Sequence, residues 1–181
     1  MQTEGSILEL CHVTRDLDAA LRHWTRDLGA GPFFVFEVPV LPGQMYYGAP
    51  TEVAMRVGFG FSGGVLIELL QQTNDGASPF RDFLNERGEG LHHVMPRTDF
   101  DLGHARLSEA GHDVAYSGTM PSGERFCLFD TRAANGAYVE LMELSPAMEN
   151  SLARMARAHR DWDGVTDPVQ TMDKLAEIAL D

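Results

Sequence analysis

The sequence predicts an α+β fold in which two β-α-β-β-β units stand in tandem, followed by C-terminal helices. Three observations carry that prediction. "LCHV" at 10–13 returns as "LHHV" at 91–94. Each copy is followed about fifty residues later by a Gly-bounded apolar run holding one Glu, "GGVLIELLQ" and "NGAYVELME". Between each such pair lie one helix-like and two strand-like patterns, so the chain repeats one supersecondary unit.

In the first unit, placed at residues 6–72, "ILELCHVT" reads as a strand. The next stretch sets Leu17, Ala20, Leu21, Trp24 and Leu28 at helical spacing, with Asp16 as N-cap and Gly29 as stop. "FFVFEV", "EVAMRVGFGF" and "GVLIELL" follow as strands, the last two joined by "SGG". The Pro- and Gly-rich stretch 39–51 between the first two of these reads as a rim loop. A connecting helix at 73–88 starts on Ser78 and Pro79. The second unit, 89–145, repeats the order with "GLHHVMPRT", a helix stopped by Gly111, "HDVAYS", "RFCLFD" and "AYVELMEL". In the extension 146–181, "SP" and "DP" each open a segment, which predicts two further helices.

Of 181 residues, 44% are apolar and 23% charged, the balance of a packed globular chain rather than a disordered one. The net charge of -13 would repel a phosphate backbone, so nucleic acid is excluded as a partner. No apolar run is long enough to span a bilayer, and the first residues lack the pattern of a signal peptide, so a cytoplasmic protein without membrane contact is expected. Cys11 and Cys127 have neither metal-site nor redox spacing and read as small apolar fillers.

The repeat pairs His12 with His93 and Glu68 with Glu140. Strand alternation puts each Glu on a face with bulky apolar neighbours, Leu66 and Leu70 in one case, Tyr138 and Met142 in the other. A carboxylate pointed into an apolar interior costs several kcal/mol unless it is paired, protonated or bound to a cation. Two of them with two His at repeat-related positions predict a metal site of His12, Glu68, His93 and Glu140. Two nitrogens and two oxygens suit a divalent ion with positions left open for substrate. An adjacent C–H then becomes acidic enough for a carboxylate, Glu140 or Glu68, to remove its proton. His92 falls on the opposite face by alternation and reads as structural or supporting.

"HVTRDLDAALRHWTRDLGAG", "GLHHV" and "GAYVELME" resemble the vicinal oxygen chelate superfamily, which includes glyoxalase I, methylmalonyl-CoA epimerase, extradiol dioxygenases and bleomycin-resistance proteins. The resemblance spans roughly residues 6 to 145. It implies that the two units curve round a metal-binding cleft, with the same four ligands and one divalent metal per chain, Ni, Co, Zn, Mn, Mg or Fe. It also implies a homodimer acting on a small molecule. The ligand set is closer to glyoxalase I and the flanking sequence to the epimerase, so the implied activity is a metal-dependent isomerase or lyase. An Fe(II) dioxygenase using His12, His93 and Glu140 is the alternative, and a binding protein without turnover the third. Arg125, Arg56, Tyr138 and Tyr46 are the candidate substrate contacts.

Overall fold

The first helix shows how the sequence builds its scaffold. In α1 (Leu17–Arg26) the Asp16 side chain accepts from the Ala19 N–H at 2.9 Å, which satisfies one of the free donors of the first turn. Leu17 and Leu21 turn inward and pack with Phe33, Ile67 and Leu69. The helix can lie this close because the strand beneath it carries Gly58 and Gly60. A Cβ on Gly60 would come within 2.9 Å of the Phe33 ring.

The computed structural model describes residues 4–180. The other elements are β1 (Ile7–Val13), β2 (Phe33–Val38), β3 (Met45–Tyr46), β4 (Ala49–Pro50), β5 (Met55–Ser62), β6 (Val65–Gln72), α2 (Pro79–Arg87) and β7 (Gly90–Pro96). They are followed by α3 (Phe100–Glu109), β8 (Val114–Thr119), β9 (Arg125–Phe129), α4 (Arg132–Asn135), β10 (Tyr138–Met142), α5 (Pro146–Asp161), β11 (Val169–Thr171) and α6 (Met172–Leu175). All strands join one curved open sheet in the order β11-β2-β5-β6-β1-β7-β10-β9-β8-β3-β4. The two repeats meet where β1 and β7 pair antiparallel, and each of these strands pairs parallel with the Glu-bearing strand of its own repeat, β6 or β10. Helices α1 and α3 cover the outer face, and α5 crosses the concave one.

Two segments differ from their sequence reading. The stretch 39–51 is not wholly loop, because Met45–Tyr46 and Ala49–Pro50 form a small hairpin that continues the sheet beyond β8. The second tail helix is reduced to α6. Before it, Val169–Thr171 runs as a strand parallel to β2, and the Phe33 N–H donates to the Pro168 carbonyl at 2.8 Å. The open edge of β2 offers unpaired backbone groups, and Val and Thr suit a strand better than a helix, so edge pairing wins over the capping signal. In α5, by contrast, the Ser145 cap accepts from the Met148 N–H and Pro146 sits in the first turn, as the sequence requires.

Candidate functional site

Strand register decides which side chains meet. Cys11 lies opposite both Glu68 on β6 and His93 on β7, while Glu9 lies opposite Leu66 and Met95. Glu9, Cys11 and Val13 therefore share the concave face with Glu68 and His93. On β10, Glu140 and Met142 sit beside Leu128 and Phe126 on that face. The result is one group of four buried side chains, Glu9, Glu68, His93 and Glu140, whose ligand atoms all lie within 4.8 Å of one another. The Nε2 of His93 is 2.9 Å from a Glu140 oxygen, 3.2 Å from one of Glu68 and 3.5 Å from one of Glu9. Cys11 Sγ lies within 4.8 Å of ligand atoms of Glu68 and His93, which gives this supposed filler a polar setting.

Three carboxylates in an apolar interior press on one another. Burial first, and the Glu68 charge second, push the Glu9 carboxyl up to about 8. Burial also raises Glu140, although His93 works against it. For His93 burial acts downward, but the Glu140 carboxylate, by charge and hydrogen bond, holds the imidazole well above its ordinary range. Burial drives the Cys11 thiol well up, so it stays protonated. Glu9 Oε1 and His93 Nε2 are both buried without a well-formed hydrogen bond among the described residues. Two orphaned atoms aimed at one point, within an oxygen-rich set containing one imidazole, fit a divalent cation.

His12 is outside this group. As Leu69's neighbour it points to the outer face, where its ring packs edge-on against Trp24 of α1 at 5.0 Å. His93 is thus the one imidazole in the group, and the two-His, one-carboxylate arrangement expected of an iron dioxygenase is not assembled by His12, His93 and Glu140. Glu9 takes the fourth place. Counting back from the helix caps comes nearer to it than to His12: His93 precedes the α3 cap Asp99 by six residues, whereas Glu9 precedes the α1 cap Asp16 by seven and His12 by four.

His92 also departs from simple alternation. Cys11 faces His93 and His12 faces Leu91, so His92 is the extra residue of a bulge. Its ring turns inward, stacks on Tyr138 at 4.7 Å and meets Phe80 and Phe83 of α2. Its Nδ1 lies 2.9 Å from Nδ1 of His93. Burial, then the neighbouring His93, hold His92 well below its usual pKa, so it is neutral.

The four groups lie in the wall of a cavity of about 310 Å³. Its walls include Val57, Phe59, Phe126 and Leu128, together with Met55, Met95, Met120 and Met142. Its roof is α5 with Met148, Ser151, Leu152 and Met155, and Met172 of α6. The Tyr116 hydroxyl is buried at this cavity without a well-formed partner among the described residues, beside Gln44, whose side chain bonds the Val53 backbone through both its N and its O. Burial pushes that phenol upward, so it stays a donor.

None of the four expected substrate contacts lines the cavity. Arg56 is on the outer face, paired with Asp18 at 2.9 Å. Arg125 is outside as well, bound to Glu143 and Asp101 and lying 4.4 Å over Phe100. Tyr138 is buried between His92 and the Arg132 guanidinium. The Tyr46 hydroxyl donates to Asp82 at the rim.

A family model described as the glyoxalase/bleomycin resistance protein/dioxygenase superfamily matches residues 10–129. Among curated proteins none matches the chain. Among solved structures, a hypothetical protein from Bacillus halodurans C-125 is 20% identical, with a TM-score of 0.56 over 77% of this chain and 94% of its own. Methylmalonyl-CoA epimerase from Mycobacterium tuberculosis is 20% identical, with a TM-score of 0.55 over 82% of this chain and 95% of its own. A variant Streptomyces coelicolor methylmalonyl-CoA epimerase in complex with 2-nitronate-propionyl-CoA is 22% identical, with a TM-score of 0.52 over 77% and 97%. At these identities the likeness is one of fold.

Proposed function

The chain belongs to the glyoxalase/bleomycin resistance protein/dioxygenase superfamily, and from that premise we propose that it is a metal-dependent isomerase or lyase. It would move a proton at the carbon next to a carbonyl or thioester. Glu9, Glu68, His93 and Glu140 would hold one divalent ion per chain, of the Ni, Co, Zn, Mn, Mg or Fe class, which when bound supplies Lewis-acid polarisation of a substrate oxygen. The observation that carries the reading is the convergence of these four buried side chains with two ligand atoms unsatisfied.

The chain's own residues have distinct tasks. Glu140 or Glu68 removes the proton, and burial raises Glu140 toward the range that suits a base at neutral pH. His93 presents a bare Nε2 when its proton sits on Nδ1. Neutral His92 accepts that proton's hydrogen bond at its own Nδ1, which fixes the ring's tautomer and direction. Tyr116 points an unused O–H into the same cavity, where it can donate to a substrate oxygen as negative charge develops. The apolar walls keep water from the carbanionic carbon.

The test is metal analysis of the native protein beside Glu9→Gln and His12→Ala. We expect about one divalent ion per chain, retained by His12→Ala and held at least about tenfold more weakly by Glu9→Gln, since even losing a ligand's outer partner costs that much. Loss of metal in His12→Ala with retention in Glu9→Gln would overturn the ligand set, and no metal in any form would overturn the reading.

A further inference from the structure

The cavity's chemistry is more selective than its superfamily. Of its lining side chains, Glu9, Glu68, His93 and Glu140 make one polar spot, Tyr116 and Ser151 add two hydroxyls, and the rest are apolar. No Lys or Arg lines it among the described residues. A buried anionic group without a partner costs several kcal/mol, and here it would also face three carboxylates in a chain of net charge -13. The two arginines among the expected substrate contacts, Arg56 and Arg125, are paired on the outer face.

Seven of the chain's nine methionines line this one cavity, four in its walls and three in its roof. Methionine is unbranched and polarisable, so a methionine lining fits itself to apolar shapes without specifying one outline. The roof comes from α5 and α6, which lie beyond the residues matched by the family model. At about 310 Å³ the space equals roughly ten water volumes, near the lower limit of small-molecule pockets.

We infer that the substrate is a neutral, largely apolar carbonyl compound. Its single polar end lies at Glu9, Glu68, His93 and Glu140, its body is enclosed by methionines under α5, and it carries no carboxylate or phosphate inside the cavity. This inference rests on the carbonyl chemistry proposed above, and its test separates the two.

The neutral fluorophore N-phenylnaphthylamine serves as the probe, displaced by nonanone, by nonanoate or by octanoyl-CoA, on the protein as purified and after chelation. Nonanone is expected to displace the probe at a concentration at least about tenfold below that of either anion, in both forms. Placing a cation at the half-buried rim position in Met120→Lys should narrow or reverse the gap for nonanoate, because a lysine there can reach solvent when the cavity is empty. Preference for nonanoate or octanoyl-CoA in either form of the native protein overturns the inference, as does failure of the probe to bind. A protein that prefers the ketone yet holds no metal leaves the substrate class standing and overturns the metal reading alone.

Discussion

His93 is surrounded on one side by three carboxylates and on the other by a neutral imidazole, and both sides have measurable consequences. In the metal-free protein the Glu9 carboxyl, pushed up to about 8 by burial and Glu68, keeps a proton that the unfolded chain loses near 4.5. A raised group stabilises below its unfolded pKa and ceases to do so as pH climbs through its folded one. His93, raised despite burial through Glu140, acts with the same sign above 6.5. The melting temperature of chelated protein is therefore expected to fall as pH rises from about 6.5 to about 8, above the range in which the depressed His92 and His12 act with the opposite sign. Added metal should raise it more at the upper end, where protons no longer compete for the carboxylates. Thermal melts across that range check this, and a flat or rising profile would contradict the buried group. On the other side, His92→Phe keeps the stacking on Tyr138 but removes the partner of His93 Nδ1. Metal affinity should drop roughly 10–100-fold with the fold retained, as titration with a competing chelator would show.

Among the elements, α5 and the β5 glycines set how closely the layers approach. Met155 is 4% exposed and packs on Phe34, Phe61 and Leu66, so Met155→Ala should cost about 2–5 kcal/mol in denaturant unfolding. Gly60→Ala drives a methyl into the Phe33 ring and should cost about 1–3 kcal/mol. Strands β1, β2 and β5–β10, with α1, α2, α3 and α5, are legible in the sequence because alternation, helical spacing and caps agree there, whereas the two-residue strands of the β3–β4 hairpin are too short to show alternation. The β11 edge is not, because a strand made by pairing with β2 has no local signature beyond three residues. Glu68, His93 and Glu140 are legible as interior polar residues on apolar faces. The inward turn of His92 is hidden by the bulge it forms on β7, whereas Glu9 alternates regularly with Cys11 and Val13 and is hidden only because the short match makes His12 the inward residue of β1. The short match "LCHV" to "LHHV" favours His12, whereas the longer spacing to the helix caps favours Glu9.

For the whole molecule, the site straddles the junction of the repeats. Glu9 and Glu68 come from the first, His93 and Glu140 from the second, and β1 and β7 pair between them. A cation held by all four favours the joined sheet, and at a hundredfold excess over its dissociation constant it adds about 2.7 kcal/mol. Among the described residues no helix is long and apolar enough to cross a membrane. Light scattering should give a mass near twice 20.0 kDa if the homodimer implied by the family resemblance forms, and a monomer at micromolar concentration would refute it. The methionine lining makes this protein its own reporter. With carbon-13 placed on the methionine methyl groups, seven of nine resonances arise from a single cavity. Occupancy by a colourless, non-fluorescent compound would then be read directly from the spectrum, with Met45, on the hairpin outside the cavity, as an internal reference.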